Sequence, residues 1–175
     1  YHKLERKVMA LEIRIKRAEE SSTRQLAAEM LADAVGSAPE DIFFYRGENG
    51  KPLTNLSLHF NCSHSGGFVV CAVGEREVGV DLEQIRPVHP RLERALTAAE
   101  RQWLTSLPQA ERDEGFFRLW TLKESWIKCR DGRLMELRRT EFLLQGQEIV
   151  SAPPGFIFRF LPAPMGYVLA ICERE

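Results

Sequence analysis

The stretch Val78-Gly79-Val80-Asp81-Leu82-Glu83 sets two carboxylates on alternate positions. Side chains of a strand alternate faces, so Asp81 and Glu83 share one face with Gly79, while Val78, Val80 and Leu82 share the other. Two neighbouring carboxylates repel unless a cation lies between them or one is protonated. Hard oxygens beside a residue without a side chain, which leaves room for a ligand, suit Mg²⁺, an ion that keeps waters and accepts phosphate oxygens. The same residues also describe an edge strand whose acids end in solvent.

A second stretch, "FFRLWTLKESWIKC" (residues 116–129), carries Trp120, Glu124 and Lys128 at i, i+4 and i+8. On a helix these form one stripe. Phe116, Phe117 and Ile127 border it, so Glu124 emerges at the edge of an apolar face. There it is placed to ligate a metal, to act as a general base, or both. Lys128, one turn on, is a point charge suited to phosphate. A solvated Glu–Lys pair, worth a few tenths of a kcal/mol, fits the same spacing.

The third stretch, "FNCSHSGG" (residues 60–67), crowds Asn61, Ser63, His64 and Ser65 at the end of a strand. Backbone N–H groups at such a turn, together with a histidine, can bind phosphate. A Ser/His catalytic pair is disfavoured, because successive strand positions point to opposite faces and no GxSxG elbow is present.

These residues need elements to hold them. Residues 3–20 are rich in helix formers, with Leu4, Val8, Leu11 and Ile15 at helical spacing, which predicts a first helix. A second helix is predicted over 22–35, ending at Gly36. "DIFFYRG" reads as a short strand and "ENGKP" as a turn. Residues 58–85 read as three strands, broken at "SGG" and "GERE", with the last two forming a hairpin. "TAAE" (97–100) fits a capping box with Thr97 as N-cap. "SLPQAERDEG" reads as a loop and residues 115–129 as a helix. "TEFLL", "GFIFRFLP" and "GYVLAICE" read as three strands. Helices followed by strands, twice over, predict an α+β fold of two halves, 1–77 and 78–175.

Composition narrows the function. The chain has 175 residues, 44% hydrophobic and 28% charged, as a globular domain requires. A net charge of −1 gives no overall basic field for nucleic acid or anionic membrane. No run approaches the roughly 18 apolar residues of a membrane span. Cys62, Cys71, Cys129 and Cys172 form no CxxC pair, so free buried thiols and a cytoplasmic setting are expected. The first 24 residues are crowded with charge and do not read as a secretory leader. The chain opens on Tyr1 rather than Met, and an earlier segment is compatible with that.

Taken together, "GKP" (50–52), "FNCSHSGG", "VGVDLE" and "WTLKESWIK" resemble, in order and approximate spacing, the 4′-phosphopantetheinyl transferases of the surfactin-synthetase-activating (Sfp) type. The resemblance implies an enzyme that moves the phosphopantetheine arm of coenzyme A onto a serine of an apo acyl or peptidyl carrier protein. Adenosine 3′,5′-bisphosphate would be the by-product. It implies two similar α/β halves related by a pseudo-twofold, with the active site in the cleft between them. It implies Mg²⁺, with Mn²⁺ as a substitute, held by Asp81, Glu83 and Glu124. Glu124 matches the base for the carrier serine, and Lys128 the catalytic lysine near the pyrophosphate. Arg24, Lys51, Pro52, Ser63, His64 and Lys123 match coenzyme A contacts beside Lys128. After Lys128 the family pattern carries a Gly-x-Gly-Leu-like turn, whereas this chain reads "CRDGRLMEL" with one glycine. Two competing readings are a metal-dependent nuclease, against which the charge balance counts, and a non-catalytic coenzyme A or carrier-binding module, which would be expected to lack one of the acids. A monomer, without nucleic-acid or membrane partners, is expected.

Overall fold

A computed structural model describes residues 9–175. Its first element is a strand, β1 (Glu12–Arg17), not the helix that local propensity predicts. Ile13 and Ile15 pack into the core between the sheets. Arg14 and Lys16, on the opposite face, pair with Asp33 at 2.7 Å and Glu29 at 2.5 Å. Six residue pairs with β5 complete the strand. The period-two alternation over 12–17, satisfied on both faces, outweighs propensity. The earlier part of that expected helix, residues 3–8, lies outside the described residues.

Helix α1 (Thr23–Val35) follows as expected, capped by Ser22 and closed at Gly36 with φ 70°. Short strands β2 (Phe44–Arg46) and β3 (Pro52–Thr54) pair around the "ENGK" turn. Next come β4 (His59–Ser65), β5 (Phe68–Gly74) and β6 (Val78–Gln84). The hairpin here is β4–β5, not β5–β6. Both edges of β5 are taken, by β1 and β4, so β6 passes to a second sheet and pairs with β10.

The other strands of the second sheet come after α2 (Ala98–Ser106) and α3 (Arg112–Arg130). Thr97 caps α2 through a complete capping box with Glu100. α3 begins at Arg112, inside the stretch read as a loop; Asp113 and Glu114 in its first turn complement the helix dipole. β7 (Leu143–Gln145) then forms a hairpin with β8 (Glu148–Ser151), a strand the sequence did not suggest. β9 (Phe156–Leu161) and β10 (Tyr167–Arg174) close the chain.

Mixed helix and sheet makes the fold α+β. The two three-stranded sheets have orders β1-β5-β4 and β6-β10-β9, so each puts its last strand in the middle. α1 covers the outer face of the first sheet and α3 that of the second, and the inner faces share a core of Val70, Ala72, Val80, Leu82 and Ile171. β4 and β6 run side by side in separate sheets. Side chains bridge them: Val80 N donates to Asn61 Oδ1 at 2.9 Å, Ser63 Oγ to Asp81 Oδ1 at 2.9 Å, and Gln84 N to Ser65 Oγ at 3.0 Å. No described helix is long and apolar enough to cross a membrane.

Candidate active site

Gly79, Asp81 and Glu83 share one face of β6, as the alternation predicts, and that face meets α3. A Cβ at Gly79 would overlap the carbonyl oxygen of Ser125 and the nitrogen of Cys129. The space beside Gly79 therefore admits the backbone of α3, not a ligand, which corrects the expectation from the sequence. This close approach brings Glu124 and Lys128 over the carboxylates.

Lys128 Nζ lies 2.5 Å from Asp81 Oδ1 and donates to Ser63 Oγ at 3.1 Å. Ser63 Oγ in turn donates a hydrogen bond to the same Asp81 oxygen. Asp81 Oδ2 is buried with no hydrogen-bond partner among the described residues. Burial raises the Asp81 carboxyl above the usual range against the opposing pull of Lys128. Glu83 Oε2 accepts from Ser65 Oγ and from Arg86, each at 3.1 Å. Glu124 is pushed up to about 7, first by burial and then by the charge of Asp81, with Lys128 pulling the other way. A carboxyl at that value is suited to taking a proton near neutral pH.

Beside this cluster a cavity of about 310 Å³ is lined by Lys51, Pro52, Asn61, Cys62, Lys128 and Asp131, among others. It lies where the β2–β3 turn meets the end of α3. Lys51 Nζ donates to Cys129 O at 2.7 Å and Asn49 Nδ2 to Asp131 O at 3.2 Å, so the turn caps the helix's free carbonyls. Burial lowers the Lys51 ammonium below the ordinary lysine value. The loop that departs from the family pattern is shaped by Asp131, which takes the left-handed conformation, φ 54°, usually left to glycine.

The remaining residues expected at the site divide. Ser63 is buried between Lys128 and Asp81. His64 is exposed and, by strand alternation, points to the other face of β4. Arg24 is exposed, with its guanidinium 5.0 Å from the centre of the Phe44 ring. Neither His64 nor Arg24 lines the cavity. Lys123 is a correction: it is fully buried, 2.8 Å from Glu100, and donates to the carbonyls of Ala95, Leu137 and Thr140. Every donor of its ammonium is engaged inside the protein, and Lys123 does not line the cavity. The sequence reading missed Glu100, which also accepts from Thr97 N and Phe142 N. Its capping-box position was visible, its burial was not.

Among the described residues, no three side chains of ligand type form a metal cage. Hard carboxylate oxygens, the donor type a hard cation takes, are nevertheless near one another here. The charges of Asp81 and Glu83 both bear on Glu124, and the orphaned Asp81 Oδ2 is the kind of buried acceptor that an ion satisfies.

Residues 77–172 match the model of the 4′-phosphopantetheinyl transferase superfamily. The chain is 45% identical over 147 residues to the 4′-phosphopantetheinyl transferase psf-1 of Bacillus pumilus, covering 78% of this chain and 62% of that one. It is 31% identical over 172 residues to the 4′-phosphopantetheinyl transferase Sfp of Bacillus subtilis, covering 89% and 76%. Its likeness to the 4′-phosphopantetheinyl transferase gsp of Aneurinibacillus migulanus is 42% over 91 residues, covering 51% and 38%. The aligned segments thus span between 38% and 76% of these relatives' lengths.

Proposed function

The chain belongs to the 4′-phosphopantetheinyl transferase superfamily, and from that premise we propose that it transfers the 4′-phosphopantetheine arm of coenzyme A to a serine of an apo acyl or peptidyl carrier protein. The observation that carries this reading is the cavity in which Lys51 and Lys128 share a wall beside Asp81 and Glu124. It offers cations for an anhydride and a base next to them.

In this reading residues 1–77 and 78–175 are two similar halves related by a pseudo-twofold, and coenzyme A lies in the cleft between them. The recurring strand order supports it. The carrier serine oxygen attacks the phosphorus that bears the pantetheine arm. The bond from that phosphorus to the bridging oxygen breaks, and adenosine 3′,5′-bisphosphate leaves. The serine proton passes to the Glu124 carboxylate. Lys51 and Lys128 face the charge that builds on the phosphate oxygens. Pro52 gives the cavity an apolar edge, and Arg24 and His64 stand outside it, where they meet the nucleotide end of coenzyme A. Asp81, Glu83 and Glu124 would hold Mg²⁺ or Mn²⁺, which when bound would neutralise the anhydride oxygens. Two fused halves make a monomer sufficient in this reading.

The test is transfer of a fluorescently labelled coenzyme A arm to purified apo carriers of fatty-acid, polyketide and nonribosomal-peptide type. Label should appear on the carrier with one adenosine 3′,5′-bisphosphate released per arm, and a carrier Ser→Ala variant should stay dark. Failure to label any carrier, with coenzyme A bound, would remove the transferase reading.

A further inference from the structure

β4 and β5 set Cys62 and Cys71 directly opposite each other. Residues so paired in antiparallel strands point to the same face, with Cα atoms about 4.5–5.5 Å apart, inside the roughly 4.4–6.8 Å that a disulfide spans. The shared face is the one beneath α1: Cys71 belongs to the core that α1 covers, and Cys62 packs against it. The two thiols are in hydrogen-bond contact, and both are free.

The pair is uneven. Cys71 is 0% exposed. Cys62 is half-buried and lines the cavity that also holds Lys51 and Lys128, with Asp131 the acid of that wall. Its Sγ lies 3.6 Å from Thr23 O, in the first turn of α1. A partly open thiol near cations and a helix start is the setting that favours the thiolate, the reactive form. Contact with Cys62 and then burial raise Cys71 above the ordinary thiol range, so Cys71 keeps its proton and oxidation begins at Cys62. Neither sulfur takes part in the proposed group transfer.

A second thiol pair gives the contrast. Cys129 of α3 and Cys172 of β10 are also in contact, but they are 1% and 0% exposed and do not line the cavity. A solute reaches them only if the fold opens.

We propose that Cys62 and Cys71 are a reversible oxidation site, closed to a cross-strand disulfide by a peroxide that enters through the cavity. The Cys62 thiolate attacks one oxygen of hydrogen peroxide. An S–O bond forms, the O–O bond breaks, and hydroxide departs as water with the proton that Cys62 gave up. The Cys71 sulfur then attacks the Cys62 sulfur. The S–S bond forms, the S–O bond breaks, and the second hydroxide leaves as water with the Cys71 proton. The two sulfurs together lose two electrons, and the peroxide is reduced to two waters. Dithiothreitol reverses the step by thiol–disulfide exchange.

The test is mass spectrometry of the folded protein after hydrogen peroxide, with the remaining thiols alkylated once the protein is denatured. The peptides of Cys62 and Cys71 should be joined, with the loss of two hydrogens. Cys129 and Cys172 should be found alkylated, and dithiothreitol should restore all four thiols. Cys71→Ala should leave Cys62 as a sulfenic acid that dimedone traps. Cys62→Ser, at the half-buried position, should slow thiol loss roughly tenfold or more. A Cys129–Cys172 link that forms ahead of Cys62–Cys71 overturns the proposal. So does thiol loss in Cys62→Ser at the wild-type rate, or the absence of any link at a peroxide excess that oxidises Met165, which is 99% exposed. These outcomes do not depend on whether the chain transfers a phosphopantetheine arm.

Discussion

Two lysines of one helix, five residues apart, each hold an acid in the interior, and the two pairs end differently. Lys123 and Glu100 are both 0% exposed, and every polar group of the pair has a partner: three carbonyls for the ammonium, two backbone N–H groups for the carboxylate. The Lys128–Asp81 pair is 27% and 4% exposed, its lysine lines a cavity, and Asp81 Oδ2 has no partner among the described residues. A closed network is a fastening, since nothing remains for it to bind. An open one keeps a buried oxygen in want of a partner, a costly arrangement unless something arrives to satisfy it. The same motif thus supplies both the joint that holds the loops and the site that those loops surround.

The contrast breaks most sharply at Asp81. Asp81→Ala should lower kcat/KM for transfer at least ten-thousand-fold, about 5.5 kcal/mol of lost transition-state stabilisation, with its folded circular dichroism spectrum unchanged. Near-normal turnover in that variant would make the open pair as structural as the closed one.

Next in size is the closed pair. Lys123→Met should cost about 3–5 kcal/mol in urea unfolding, because Glu100 would remain buried without its cation. Combining it with Glu100→Leu should restore more than half of that loss. A single-variant cost below about 1 kcal/mol would show the fastening to be idle.

The smallest effect is on pH. Glu124 is raised to about 7 from an ordinary 4.5, so the folded protein binds its proton more tightly than the unfolded chain. The resulting stability is full below about 4.5 and is lost as pH climbs through about 7, by at most roughly 3 kcal/mol. In metal-free protein, Glu124→Gln should flatten that part of the stability–pH curve, while the share due to Asp81, which has the same sign, remains. A variant curve that falls as steeply as wild type would mean that Glu124 sits at its ordinary value.

Much of the site was legible because it is local. Strand alternation placed Asp81 and Glu83 together, and helical spacing placed Glu124 and Lys128 in one stripe. The division of labour between Lys123 and Lys128 was not legible, since both follow good helical residues and only the carbonyls of Ala95, Leu137 and Thr140, distant in sequence, draw one of them inside. Gly79 was read as room for a ligand because a missing side chain does not announce what fills the gap. β1 was read as a helix because charged helix formers surround two isoleucines, and only β5 and the acids of α1 reveal the alternation. The partner of β6 was misread for a similar reason: the occupancy of both edges of β5 depends on a strand more than fifty residues upstream.

The seam between β4 and β6 has a consequence for how the molecule is inherited. A backbone ladder forms with almost any side chains, so an ordinary sheet carries its joints through generations of substitution. This joint is spelled in Asn61, Ser63 and Ser65, and a single codon change can undo one rung while both sheets keep all their ladders. The alignment of the carboxylate strand with its neighbour is therefore written in three letters of the sequence, open to adjustment one letter at a time.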